Sequence, residues 1–171
     1  MNFYTNLAKD AIEEYIKHSK IIKVSDNLPK EFYSRKAGVF VTIHNNKDLR
    51  GCIGTFLPAK NNIAEEIISN AISACSRDYR FPEITEKEFP QLSYEVSTLS
   101  EPKKVKNIEK HDPKKHGIIV QCSDGRCGLL LPDLEGVDST SQQIGIACQK
   151  GNIDPMEDNF SLFEFTVEKH R

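Results

Sequence analysis

Apolar residues recur at Tyr4, Leu7, Ala8, Ala11, Ile12, Tyr15 and Ile16, a spacing that predicts an amphipathic helix over residues 3–18. Lys17, His18 and Lys20 follow where a helix carboxyl end favours positive charge, and they read as a solvated terminus. Residues 21–36 read as a connection broken by Pro29, with room for one helical turn. The period then changes. Val39, Val41 and Ile43 alternate with Phe40 and Thr42, and Leu49 to Ile53 follows beyond Asn45-Asn46-Lys47-Asp48, which predicts a β-hairpin. A register that keeps Leu49 and Ile53 on the face of Val41 pairs Thr42 with Cys52 and His44 with Arg50, across a loop of odd length. Thr42, His44, Arg50 and Cys52 would then share the opposite face.

Beyond Pro58, Asn62 and Glu65 have capping-box spacing, and Ile63, Ala64, Ile67, Ile68, Ala71, Ile72 and Cys75 form a wide apolar stripe. This helix should end near Ser76, with Cys75 in the core. Arg77 to Pro82 then reads as a compact charged loop. Thr85 with Glu88 repeats the capping pattern before a strand from Leu92 to Leu99, which puts Glu95 and Ser97 on its more polar face. Residues 101–116 read as a lysine-rich solvated linker with at most one helical turn.

The order then recurs. Gly117–Cys122 and Cys127–Leu131 form a second hairpin, in which Asp124-Gly125 signals a type I′ turn that would set Cys122 opposite Cys127. A helix from Ser139 or Ser141 to about Gln149 follows, with Ile144, Ala147 and Cys148 inward and Gly151 as terminator. A last strand runs from Ser161 to Glu168. The chain therefore reads as one α+β domain: mainly antiparallel sheet from two duplicated hairpin–helices–strand units, roughly 37–100 and 116–169, with helices outside.

Length and composition fit this picture. The 171 residues suffice for a buried core in one domain or two joined subdomains. A net charge of -2 supplies no general attraction for nucleic acid or anionic membrane, and no aromatic-plus-basic motif offsets that. No apolar run approaches membrane-spanning length and no leader pattern is present, so the expected compartment is the cytoplasm. Five cysteines, at 52, 75, 122, 127 and 148, form no CxxC and read as reduced thiols, a redox-sensitive Cys122–Cys127 bridge being the minority alternative. His111, Asp112 and His116 fit no standard helical ligand pair and Pro113 interrupts them, so no metal site is read there. Neither a P-loop nor a dinucleotide fingerprint occurs, and any cofactor stays unspecified.

Candidate chemistry concentrates in Leu49-Arg50-Gly51-Cys52-Ile53-Gly54, continuing to Thr55. A guanidinium beside a thiol favours the thiolate, and flanking glycines admit a ligand or a neighbouring backbone. The alternative is a Cys52 that packs as a small hydrophobe, as most free cysteines do. His44 and Glu95 are candidate proton-tuning partners, and Asp78 with Arg80 either binds an anion or pairs internally. Leu-Arg-Gly-Cys-Ile-Gly resembles the signature hexapeptide of the AMMECR domain family. Gly38–Ile43, Arg77–Pro82, Tyr94–Leu99 and Gly128–Pro132 resemble later or flanking family blocks in the same order.

That resemblance implies two unequal subdomains, the larger holding both termini, with the hexapeptide facing a cleft between them. It implies no particular reaction. Two readings stand side by side. One is a cleft enzyme with Cys52 as nucleophile or acid, Arg50 as anion anchor, and His44 or Glu95 tuning protons, while Gly51, Gly54, Thr55, Asp78, Arg80 and Ser97 contact the ligand. The other is a non-catalytic binding or accessory module for a peptide or macromolecule. Since family members are often encoded or fused beside Memo-like and radical-SAM proteins, such proteins are the partners the resemblance suggests.

Overall fold

The computed structural model describes residues 2–171. Helix α1 (Phe3–His18) begins at the Asn2 cap and ends at Ser19 in the left-handed conformation, with Tyr4, Leu7, Ala8, Ala11 and Ile12 buried. The single turn α2 (Glu31–Ser34) follows Pro29 and buries Phe32. Strands β1 (Val39–Asn45) and β2 (Asp48–Thr55) form the first hairpin. Helix α3 (Ile63–Ser76) is capped by Asn62, whose side chain accepts from the Glu65 N–H. After a 3-10 segment over Glu86–Gln91 comes β3 (Leu92–Leu99). The second half holds β4 (Lys103–Lys104), β5 (Gly117–Cys122), β6 (Cys127–Leu130), α4 (Thr140–Lys150), β7 (Phe160–Phe165) and β8 (Val167–His170).

Two four-stranded sheets result, ordered β2-β1-β3-β8 and β4-β7-β5-β6. In each, the first hairpin strand is flanked by its hairpin partner and by the strand that follows the helix, always antiparallel. The chain divides into two compact units. One runs up to Leu99 and resumes at Glu168–Arg171; the other is Ser100–Val167. The first unit buries Val39, Val41, Ile43 and Val96 against the apolar stripes of α1 and α3. The second packs Ile118, Val120 and Leu130 against Ala147 and Cys148 of α4. Period-2 and period-3.6 patterns thus meet face to face in each core.

Several sequence expectations are corrected. Thr42 does pair with Cys52, but His44 pairs with Leu49, because Arg50 is the extra residue of a β-bulge between Ile43 and His44. The bulge reverses the alternation, so Leu49 leaves the core face and is 40% exposed. It also shortens the loop to Asn46-Lys47, with Asn46 at a φ of 57°. Cys127 pairs with Gln121 rather than Cys122. Ser123-Asp124-Gly125 makes a three-residue loop with Gly125 at a φ of 93°, and the Cys122 N–H bonds to the Arg126 carbonyl.

The last strand is two strands. Thr166 interrupts it: its carbonyl accepts from the Ser100 N–H and its own N–H donates to Ser100 Oγ. β8 then joins the sheet of β3 instead of continuing beside β5. The lysine-rich stretch is more than a solvated linker, since β4 pairs with β7, Val105 packs on the second core and His111 is buried.

Candidate functional site

The hexapeptide occupies β2, an edge strand, and its side chains divide the work of fixing that edge. Arg50, released from the ladder by the bulge, turns its guanidinium onto Glu88. Nε lies 2.7 Å from Oε2 and Nη2 3.1 Å from Oε1. Nη1 and Nη2 also donate to the Pro82 and Glu83 carbonyls at 2.8 and 3.3 Å. The planar fork thus meets two planar acceptor sets, and the Arg50 side chain is 13% exposed. Glu88 is held by the Thr85 capping box, with the Thr85 N–H 2.9 Å from Oε1. The hydrogen bond from Arg50 lowers the Glu88 carboxyl below its ordinary range.

Cys52 sits half-buried, its Sγ 3.2 Å from Thr42 Oγ1. Its backbone groups point off the sheet edge, and one side-chain pair satisfies both. Asp78 Oδ2 accepts the Cys52 N–H at 2.9 Å, and Arg80 Nη2 donates to the Cys52 carbonyl at 3.2 Å. Asp78 and Arg80 bind each other through Nε–Oδ1 and Nη2–Oδ2 contacts of 2.9 and 2.6 Å. The Arg80 hydrogen bond, outweighing desolvation, holds the buried Asp78 carboxyl far below the usual carboxylate range. An ion pair therefore stands where the next strand would pair, which blunts the edge.

The two glycines serve close approach. A Cβ on Gly51 would lie 2.3 Å from the Ala74 carbonyl oxygen near the end of α3, and one on Gly54 would lie 2.3 Å from the Phe40 ring. Thr55 joins a buried network: its Oγ1 donates to Glu66 Oε1 at 2.6 Å and accepts from Asn70 Nδ2 at 3.1 Å. Glu66 Oε2 takes the Ala59 and Lys60 N–H groups, each at 2.8 Å. Glu66 and Asn70, buried and four residues apart on α3, were not singled out in the sequence. Their signal is a polar pair at the margin of an otherwise apolar stripe.

The remaining candidates spread along the same sheet. Cys52, Thr42 and Glu95 form one cross-strand row, and Gly54, Phe40 and Ser97 the next. Ser97 is buried. Glu95 is engaged by Arg171 Nε rather than by His44 or Arg50. His44 lies between Leu49 and Ser93 in the ladder and makes no side-chain hydrogen bond among the described residues. The structure thus brings together Cys52, Thr42, Asp78 and Arg80. It gives Arg50 to Glu88 and Glu95 to the chain's carboxyl end. Glu88, the partner of Arg50, was read in the sequence only as a capping residue, because nothing local places it beside residue 50.

The second unit repeats the device with other residues. Arg126 binds Asp158 through two contacts of 2.7 and 2.8 Å and donates to the Asn152 carbonyl at 2.7 Å. A Cβ on Gly128 would lie 1.8 Å from the Ala147 carbonyl oxygen. A clamped arginine and a glycine under a helix carbonyl therefore accompany both hairpins.

Comparison with known proteins gives concordant matches. The AMMECR1 family model matches residues 5–170. A protein of Thermotoga maritima is 43% identical over 169 residues, covering 98% of this chain and 97% of that one. A protein of Clostridium acetobutylicum is 42% identical over 170 residues, covering 98% of this chain but only 36% of its own length. Among solved structures, the crystal structure of the uncharacterized protein PH0010 from Pyrococcus horikoshii superposes with a TM-score of 0.87 at 32% identity, covering 98% of this chain and 89% of that one. Among the described residues no helix is long and apolar enough to cross a membrane.

Proposed function

This chain belongs to the AMMECR1 family, and from that premise we propose that it is a binding or accessory module in which the hexapeptide builds a rigid recognition face. The carrying observation is that both arginines beside Cys52 are already committed. Arg50 is clamped by Glu88 and two carbonyls, and Arg80 by Asp78 and the Cys52 carbonyl. A guanidinium neutralised by a bidentate carboxylate does little to favour a thiolate nearby. Thr42 Oγ1, not an imidazole, is the group within reach of Sγ. Nucleophilic activation needs a base at that position. The same bonds make the strand stiff, and a stiff surface loses little entropy on binding.

The recognition face is the sheet face that carries Phe40, Thr42, Cys52 and Glu95, a mixture of aromatic, hydroxyl, thiol and carboxylate groups suited to a polypeptide partner. Memo-like and radical-SAM proteins are the partners to try first. The Clostridium relative agrees with an accessory role in one respect: there the matched region is one part of a much longer polypeptide.

Thiol chemistry tests this directly. Iodoacetamide labelling of Cys52, followed by intact mass across pH 6–10, should run no faster than a free cysteine and should be unchanged by Arg50→Ala in a folded variant. Rapid labelling at neutral pH that slows in Arg50→Ala would overturn the reading in favour of an activated nucleophile. On the binding side, titration with a purified Memo-like protein should shift the amide resonances of Phe40, Thr42 and Cys52, and Thr42→Arg should abolish the shifts.

A further inference from the structure

In the second unit, His111, His116 and Glu164 each bring one donor atom to within 4.8 Å of the others. Residues 112–116 form a tight turn, in which the His116 N–H bonds the Asp112 carbonyl at 2.8 Å, so the two histidines face each other. Glu164 comes from β7, far along the chain. Asp112, by contrast, is turned to Lys115.

The proton positions are decided by Gln143, which is fully buried on α4. Its Nε2 lies 2.9 Å from the His116 carbonyl and 3.5 Å from the Leu131 carbonyl, so its Oε1 must be the atom 2.7 Å from His111 Nε2. An amide oxygen only accepts. His111 Nε2 therefore carries a proton, and in a neutral ring Nδ1 presents a lone pair. That lone pair faces Glu164 Oε2 at 3.0 Å. His116 Nδ1 is also shielded from solvent and has no hydrogen-bond partner. A carboxylate and two ring nitrogens thus converge around a space that calls for positive charge.

A single proton on His111 would answer Glu164 alone, whereas one cation engages a donor atom from each of the three residues. The geometry points to a divalent first-row metal site, with His111 Nδ1, His116 and Glu164 as ligands and Zn²⁺ as the fitting ion. Two imidazoles and a carboxylate form a zinc donor set that leaves a fourth position for water. The His111–Gln143 bond fixes the tautomer as the outer partner of a metal-bound histidine does. His111 is anchored further by Thr140 Oγ1, which donates to its carbonyl at 3.1 Å. Tetrahedral ligands at about 2.0–2.2 Å from a metal stand about 3.4 Å from one another. The His111–Glu164 pair at 3.0 Å therefore opens slightly, and any separation near the 4.8 Å limit closes by roughly 1 Å. The partly exposed Glu164 side chain can make that movement. The spacing that discounts a local site concerns only residues 111–116; the third ligand arrives through strand pairing.

Cobalt titration of the chelator-treated full-length protein tests the proposal, with Zn²⁺ as competitor. The expected result is one equivalent of Co²⁺ with visible ligand-field bands and no thiolate charge-transfer band. Glu164→Gln and His116→Gln should each lose at least about tenfold in affinity, and Gln143→Met about 10–100-fold. Cys52→Ser should bind like the parent. Circular dichroism checks that each variant is folded, and Glu164→Gln suffices if the buried substitutions are not. Absence of saturable binding would overturn the site, as would thiolate bands that survive in Glu164→Gln. A His111 Nδ1 proton still present by nitrogen NMR at saturating Zn²⁺ would show a simple ion pair instead.

Discussion

At the scale of single residues, the contact between Asp78 and Cys52 explains more of the hexapeptide's neighbourhood than the thiol does. Asp78 is buried while Arg80 keeps 44% of its side chain exposed. Asparagine keeps one acceptor oxygen where the carboxylate offered two, so its N–H₂ must face either the Cys52 N–H or the Arg80 donors, and the charged pairing is lost. Asp78→Asn should cost about 1–3 kcal/mol, read from urea unfolding. Its pH dependence has a definite sign. The folded-state carboxyl is depressed, so the contribution is complete above the unfolded pKa near 4 and declines as pH falls below it toward the folded value. The stability gap between parent and Asp78→Asn should stay constant from pH 7 to 5 and narrow on further acidification. A gap that widened in acid would contradict the assignment. Cys75 marks the opposite extreme: burial pushes its thiol up to about 12. It should resist alkylation until the chain unfolds, whereas the half-buried Cys52 and Cys127 label in the native state.

At the scale of elements, helix-on-hairpin contact depends on absent side chains. Gly51 lets the end of α3 approach β2, and Gly128 lets α4 approach β6, each beneath a helix carbonyl. Backbone cannot yield as a flexible side chain can, so Gly51→Ala and Gly128→Ala should each destabilise by about 1–3 kcal/mol. Gly145 provides the control. It is exposed within α4 and a Cβ there meets nothing within 4 Å. Gly145→Ala should stabilise by about 0.5–1 kcal/mol through helix propensity. Chemical denaturation of the three variants distinguishes close approach from a general intolerance of alanine. The elements themselves were legible because each follows a local rule. Asn62 caps α3 as its spacing predicts, Ser139 is the one of the two candidate starts that caps α4, and Leu92–Leu99 is the strand its alternation describes. What misled the pattern was the bulge. Arg50 leaves the ladder to reach Glu88, and no alternation rule contains a partner 38 residues away.

At the scale of the whole molecule, two hydrophobic clusters with no residue in common divide the burial. Ile118, fully buried in the second, should cost about 2–5 kcal/mol when truncated to alanine. Hydrogen exchange should show the loss of protection first in β5, β6 and α4, with α1 and α3 amides retained. Uniform loss across both units would indicate one cooperative core instead. The chain crosses between units at Leu99–Ser100 and again at Val167–Glu168. Its last residues therefore serve the first unit, where His170 stacks on Tyr4 with centroids 3.6 Å apart and Arg171 holds Glu95.

The sequence by itself determined the class of the main helices and hairpin strands, though not β4 or the break at Thr166, together with the antiparallel α+β plan, the family resemblance and the pairing of Thr42 with Cys52. Those follow from periodicity, capping and a run of motifs, all of which act over a few residues. Only the tertiary structure decided that Arg50 and Arg80 are spent on Glu88 and Asp78, that Cys122 faces Arg126, and that Glu164 joins His111 and His116. The Asp78–Arg80 pair, one of two readings open in the sequence, is held by the Cys52 backbone at the sheet edge, and Cys122–Arg126 by the length of the turn. Arg50 and Glu164 find their partners through strand register and packing, where a shift of one residue would turn a side chain to the other face.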